Sequence, residues 1–392
     1  MNVDFVVLGG GIVGAACAYF LAEAGRVALL DGEDAFGYHA TGRSAALFSE
    51  YFGAQPVRLL TAASRAFFES PPDGFGGPPL LSSRGALALA TAADVDAGRF
   101  DTALGESDPP HAAAVEITLD DARSMCPILA PVDYAKALSR PSVRDIDVDA
   151  LHQGFLRGVR ARGGSTIHGA RVEGLRRDGA AWRIDAAGGQ TFAAACVVNA
   201  AGAWADEVAS MAGVAPIGLV PKRRTAVLVD VPDDLRVRAW PVVTDLADTF
   251  YFRPESGKLM VSPSDETPVA PCDAQPEELD AAVAITRLEA VTTLRVARVA
   301  RKWAGLRSMI ADDVPVLGAT HDTLGFFWAA ALGGYGIQTA PAVGRAVASL
   351  ITSGCLPDDL RATGLTEARL SPERVAMHDA GERKEHNGGV SR

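Results

Sequence analysis

The stretch VDFVVLGGGIVGAACAYFLAEAGRVALLD, residues 3–31, decides the fold. Residues 3–8 are short, apolar and rich in valine, which predicts a strand buried in a parallel sheet. Gly9-Gly10-Gly11-Ile12-Val13-Gly14 follows and satisfies GxGxxG. Small residues from Ala15 to Ala24 predict a helix. Gly25 ends it, and Val27 to Leu30 reads as a second strand closing on Asp31. Strand, glycine turn, helix, strand and acid form, in that order, a dinucleotide-binding unit.

Each residue type has a physical task. Gly9 permits the tight turn, Gly11 leaves the backbone open to a pyrophosphate, and Gly14 lets the helix pack closely on the strand. The helix N-terminus presents N–H groups and a partial positive charge to the phosphates. Asp31 is placed to accept hydrogen bonds from ribose hydroxyls, which disfavours the 2′-phosphate of NADP. The motif alone does not separate FAD from NAD. The same stretch holds an uncharged run, residues 5–22, as long as a membrane span. Its three consecutive glycines would break a spanning helix, and no Lys or Arg precedes Arg26, so neither a span nor a signal peptide is expected.

At about 150 residues per domain, 392 residues suggest two or three domains. The chain is 48% apolar and 22% charged, enough to build a large core and unlike a disordered chain. Lys plus Arg number 37 against 48 Asp plus Glu, a net charge of −11 that argues against nucleic acid as a partner. Cys17, Cys126, Cys196, Cys272 and Cys355 share no CxxC spacing. They read as buried or incidental thiols in a reducing, cytoplasmic compartment, with no metal site and no disulfide frame.

Further along, residues 36–52 form a loop dense in Gly, Ser, Thr and Arg, suited to phosphates and ring edges. An amphipathic helix is predicted over 56–69, and a loop over 102–114 containing a solvated His111. Asp147 and Asp149 cap a helix over about 150–162. Strands are predicted over 181–186 and 192–198, and the small residues of 199–204 let backbone pass close to a cofactor. His152 and His168 read as structural. In Lys222-Arg223-Arg224, strand alternation sends neighbours to opposite faces, so one arginine can point inward toward an anion such as a substrate carboxylate. Pro276 opens a helix to about 294. A strand at 326–328, a second glycine-rich turn at 333–336 and a helix to about 351 follow, with the helix's positive end free to stabilise negative charge. No internal repeat, P-loop, GxSxG or HExxH is present.

GYHATGRSAA at 37–46, VRLLTAASRAFF at 57–68, DALHQGFLRG at 149–158, NAAGAWAD at 199–206, PKRR at 221–224, WAGLRS at 303–308 and GGYGIQT at 333–339 together resemble the glycine and D-amino-acid oxidase superfamily of FAD enzymes. Within it, the chain is similar to the bacterial FAD-dependent D-arginine dehydrogenases over nearly its whole length. The resemblance implies FAD, held non-covalently, because Gly305 stands where some relatives carry the attaching cysteine. It implies an α/β Rossmann-type FAD-binding domain built discontinuously from 1–85, 145–215 and 310–375. An antiparallel-sheet substrate domain from 86–144 and 216–309 completes the fold, with a disordered tail over 376–392.

The site implied by the resemblance is specific. Arg224 and Arg307 clamp a carboxylate, Tyr251 assists, and the Gly334 carbonyl receives the amine. FAD contacts match Gly9, Gly11, Ile12, Val13, Gly14, Asp31, Thr41, Gly42, Arg43, Ser44, Ala45, Ala46, Val172, Tyr335, Gly336, Ile337 and Gln338. The implied reaction oxidises a D-amino acid to its 2-imino acid by hydride transfer to flavin N5, and the imine hydrolyses to a 2-oxo acid and ammonia. Three positions depart from the dehydrogenase pattern: Ala86 replaces a glutamate, Leu47 a histidine and Phe52 a tyrosine. All three make the pocket less polar and imply neutral, apolar side chains, since a buried guanidinium without its acid costs about 3–5 kcal/mol. Glu50 and Asp248 are the acids that would restore D-arginine as the substrate. A quinone or an electron-transfer protein is the expected acceptor and a monomer the expected state. An oxygen-using oxidase is the alternative, with Met260 or Lys258 near the lysine that some relatives use to activate oxygen; a flavin-binding protein without activity is the third reading.

Overall fold

The computed structural model describes residues 1–105, 113–130, 134–232 and 234–375. His111 and the 376–392 tail lie outside the described residues.

The opening stretch folds as strand Asn2–Leu8, helix Ile12–Leu21 and strand Val27–Leu30. The helix starts three residues earlier than its composition suggests, so Ile12 and Val13 belong to its first turn. Glycine is required at two of the turn positions. Gly9 has φ +104°, and a Cβ at Gly14 would lie 1.8 Å from the Gly9 carbonyl oxygen. The uncharged run is thus divided between a strand and a helix, and among the described residues no helix is long and apolar enough to cross a membrane.

Strand Gln190–Asn199 is the hub of an eight-stranded sheet. It runs parallel to Asn2–Leu8, which in turn pairs with Val27–Leu30 and through it with Ser165–Ile167. Its first half pairs antiparallel with Ala181–Ala186, and its last residues pair parallel with Phe326–Ala330. Side chains alternate across this sheet. Val7, Leu29 and Val198 join one core with helices Ile12–Leu21, Val148–Ala161 and Gly336–Ser353. Val6, Leu8, Ala28, Leu30 and Trp328 join the core on the other face. The small residues of the first helix have a packing cause: a Cβ at Gly344 would come within 2.8 Å of the Ala16 carbonyl, so the two helices meet backbone to backbone.

Residues of a second, nine-stranded sheet, Gly305, Leu306 and Ser308, line the same cavity as the carboxyl ends of the first sheet's strands. The order of this second sheet is Thr267–Pro268, Val220–Val229, Lys258–Ser262, Tyr251–Glu255, Val242–Asp245, Ala86–Thr91, Tyr134–Arg140 and Val115–Ile117. The long strand Val299–Met309 pairs with Val220–Val229 on its other side. The sheet is not wholly antiparallel: Val242–Asp245 runs parallel to Ala86–Thr91. A three-stranded sheet of Leu47–Phe48, Arg144–Ile146 and Leu81–Ser83 was not expected from the loop-like composition of 36–52.

Candidate functional site

Two cavities meet between the sheets. The first, about 310 Å³, runs along the carboxyl ends of the first sheet's parallel strands, where ligands of such sheets bind. Gly9, Gly11, Ile12, Val13, Asp31, Thr41, Arg43 and Val172 line it. So do Ala200 to Trp204, the small-residue segment ending strand Gln190–Asn199. The second cavity, about 240 Å³, shares Ile12, Thr41, Arg43, Gly305 and Gly333 with the first. It is lined by Ser44, Ala45, Ala46, Tyr335, Gly336, Ile337 and Gln338, and by Arg224, Tyr251, Arg307, Gly334, Leu47, Phe52 and Ala86. One continuous space therefore runs from a dinucleotide turn to two arginines.

The first cavity fits the adenosine and pyrophosphate of a dinucleotide. A Cβ at Gly11 would meet nothing nearer than the Thr41 hydroxyl at 3.3 Å, so the approach to the helix N-terminus is open. Ile12 N–H donates to that hydroxyl at 3.0 Å. Asp31 accepts from Gly10 N–H at 2.6 Å and Glu33 N–H at 2.8 Å, bonds that tie the strand end to the turn. Burial nevertheless raises its carboxyl above the ordinary value. Each oxygen keeps a lone pair for a ribose hydroxyl. His152 buttresses the same turn: its ring Nε2 bonds the Gly10 carbonyl at 2.9 Å, and burial lowers its pKa.

Gly14 lines neither cavity; its place is the close helix–strand contact read from the motif. Gly42 lines neither as well; its N–H donates to Gly37 at 2.8 Å and shapes the loop. The Arg43 guanidinium is committed to protein: it pairs with Asp273, donates to the Ala274 carbonyl at 2.9 Å and the Ala304 carbonyl at 3.1 Å, and lies over the Tyr38 ring. It ties its own loop to residues 273–274 and to strand Val299–Met309, beside both cavities. Glu50 is buried against Arg65 and lines neither cavity, so it is not the substitute anion.

The second cavity has one charged end. Strand Val220–Val229 sends Arg223 and Arg224 to opposite faces, as alternation predicts. Arg223 pairs with Glu277 and, at 2.9 Å, with Asp280 on the outer face. Arg224 turns into the cavity, where its Nη2 donates to Glu266 at 2.9 Å and its buried Nε has no hydrogen-bond partner. Burial first, then the charge of Arg307, push the Arg224 guanidinium below its ordinary pKa. Two neighbouring cations in a desolvated pocket favour an anion between them. Part of the wall is apolar: Ala86, Val143 and Val242 are buried together, with Leu47, Tyr51 and Tyr251 packed on them. Gly334 must be small, because a Cβ there would lie 2.8 Å from the Arg307 Cζ.

Sequence reasoning missed several wall residues. Glu33, His39 and Trp204 line the first cavity; His39 bonds Glu33 at 3.0 Å and its ring lies 4.6 Å from that of Trp204. Cys272, read as incidental, is exposed on that cavity's wall, whereas Cys17 and Cys126 are buried. Tyr51 lines the second cavity from the turn after strand Leu47–Phe48, and Val242 and Thr244 line it through a sheet pairing that no local motif announces. Asp248 lines it too, as one of the two acids considered for a cationic side chain. Lys258 and Met260 do not; Lys258 pairs with Asp230 and Met260 is buried. Among the described residues no group of three or more His, Cys, Asp or Glu side chains is placed to hold a metal.

Known proteins place the chain. Residues 4–350 match the DAO family, described as FAD dependent oxidoreductase. Glycine oxidase of Geobacillus kaustophilus is 26% identical over 378 residues, covering 93% of this chain and 96% of that protein. Human mitochondrial dimethylglycine dehydrogenase is 26% identical over 386 residues, covering 92% of this chain but 43% of that protein. The crystal structure of L-proline dehydrogenase from P. horikoshii superposes with a TM-score of 0.82 at 21% identity, covering 96% of this chain and 98% of that one, a likeness of fold. The chain belongs to the DAO family of FAD-dependent oxidoreductases, and its cofactor is FAD.

Proposed function

We propose that the chain is a D-amino-acid dehydrogenase that prefers neutral, apolar side chains. The observation that carries this reading is the lining of the second cavity, which combines the cations Arg224 and Arg307 with the apolar side chains Leu47, Phe52 and Ala86. Bound FAD would supply the two-electron acceptor for a Cα–H bond. The chain's own residues orient and exclude. The two guanidinium groups and the Tyr251 hydroxyl fix the substrate carboxylate by charge-assisted bonds. The Gly334 carbonyl accepts an N–H of the neutral amine, which sets the face presented to the cofactor. No side chain is required as a base once the amine is neutral. The imine product then hydrolyses to a 2-oxo acid and ammonia.

The discontinuous division into 1–85, 145–215 and 310–375 against 86–144 and 216–309 belongs to this reading, as do non-covalent FAD, a cytoplasmic monomer and a quinone or electron-transfer protein as acceptor. The acceptor is supported by the positions of Lys258 and Met260 away from both cavities. D-Arginine as the preferred substrate is the second reading; it draws on Asp248 in the same cavity. A panel of D-amino acids, run with a dye acceptor and again with oxygen, tests both. D-Leucine, D-methionine or D-phenylalanine should lead with the dye. D-Arginine in first place would favour the second reading, and equal rates with oxygen would make the enzyme an oxidase.

A further inference from the structure

Among the described residues lining the substrate cavity, Asp248 is the one carboxylate. Its place is built rather than incidental. It has φ +50°, a conformation that Asp and Asn adopt more readily than most residues. Its N–H donates to the Asp245 carbonyl at 3.3 Å, and the Asp245 carboxylate accepts from Thr249 N–H at 2.7 Å, which closes the turn. Ser264 Oγ reaches Asp248 Oδ1 at 3.4 Å from the neighbouring loop. Arg287 bonds the Thr249 carbonyl in one loop and the Pro263 carbonyl, at 2.7 Å, in the other, so the two loops are held together.

The charges around the clamp nearly balance. Glu266 accepts from Lys222 at 3.0 Å and from Arg224 at 2.9 Å. Arg224 and Arg307 are the cations that act on Asp248. Lys222, Arg224 and Arg307 face Glu266, Asp248 and Asp245, so the cations are matched before a substrate enters. A second carboxylate on the substrate would face Asp248 in a partly enclosed space with no further cation to meet it, which is costly.

We propose that Asp248 sets the charge selectivity of this site, disfavouring amino acids with a second carboxylate relative to neutral ones of the same size. The proposal rests on the carboxylate-binding role assigned above to Arg224 and Arg307. Its action is repulsion of the wrong substrate, a form of specificity that attraction alone does not supply.

Asp248→Asn is the variant, since Asn keeps the shape and tolerates the same backbone conformation. D-Glutamine and D-glutamate differ at the side chain by one charge and little volume. Burial raises the Asp248 carboxyl above its ordinary value, so the comparison is made on the alkaline side, at about pH 8.5. There the wild-type preference for D-glutamine over D-glutamate in kcat/KM should shrink about tenfold in the variant. A parallel binding experiment titrates the flavin spectrum of the holoenzyme with succinamate and succinate. The ratio of their Kd values should shrink by the same factor. Failure to oxidise any D-amino acid would sink the dehydrogenase reading, and the Kd ratio would still decide the role of Asp248. An unchanged ratio in the variant, or a flavin spectrum that responds to neither ligand, would overturn the proposal.

Discussion

A single methyl group at Gly334 tests whether clamp geometry holds the substrate. Gly334 does not have the positive φ that its neighbour Gly333 shows at +55°, so alanine brings no backbone strain there. Its Cβ would sit 2.8 Å from both Cζ and Nε of Arg307 and 3.2 Å from Nη1. Carbon does not approach other heavy atoms that closely, so the guanidinium must swing away. Losing one charge-assisted bond to the carboxylate costs about 1.5–3 kcal/mol. That is roughly 10- to 150-fold in kcat/KM. Dye-reduction kinetics of Gly334→Ala with D-methionine would measure the loss, with FAD content confirming an intact cofactor site. In an Arg307→Ala background the same methyl should cost less than about threefold, because the group it displaces is gone. A fully FAD-loaded Gly334→Ala enzyme within threefold of wild type would refute the argument.

Other outcomes follow from neighbouring residues. Arg224→Met should lower kcat/KM by about 2–5 kcal/mol, whereas Arg223→Met should lower the Tm through its lost pairs with Glu277 and Asp280 and leave kinetics within about twofold; equal kinetic losses at both would contradict the strand's facing. Ala86→Glu should shift preference toward D-arginine and D-lysine by about 1.5–3 kcal/mol, read as a ratio of kcat/KM values against D-leucine. His152 is held below its ordinary pKa by burial, so the unfolded chain takes up its proton first. Its contribution to stability is full above about pH 6.5 and is lost as pH falls through that value toward the lower native pKa. His152→Gln should therefore shrink the drop in Tm between about pH 7.5 and 5.5, and an undiminished drop would remove His152 as a cause.

The legible parts of the fold were those with local causes. The opening unit was readable because each glycine answers a contact within the same turn or across one strand, as Gly14 does against Gly9. The facing of Arg223 and Arg224 followed from strand alternation alone. The pairing of the Arg43 guanidinium was not legible because its partners, Asp273 and the carbonyls of Ala274 and Ala304, lie more than two hundred residues along the chain. Glu50 looked as available as Asp248 in sequence; its burial against Arg65 on helix Gln55–Glu69 is a tertiary fact. Val242 and Thr244 reach the cavity through pairing of distant strands, which leaves no motif to find. The departures at Leu47, Phe52 and Ala86 were visible residue by residue against the resembling family, and all three line the cavity.

The central claim is that two arginines present an amino-acid carboxylate so that its Cα faces FAD. Anaerobic mixing of the holoenzyme with D-methionine, followed at the main visible flavin band, tests it most directly. The wild-type protein should bleach in a single turnover with D-methionine and not with L-methionine, and Arg307→Met should bleach at least about tenfold more slowly at the same substrate concentration. A flavin that stays oxidised with every D-amino acid, or one that bleaches equally fast without Arg307, would contradict the account.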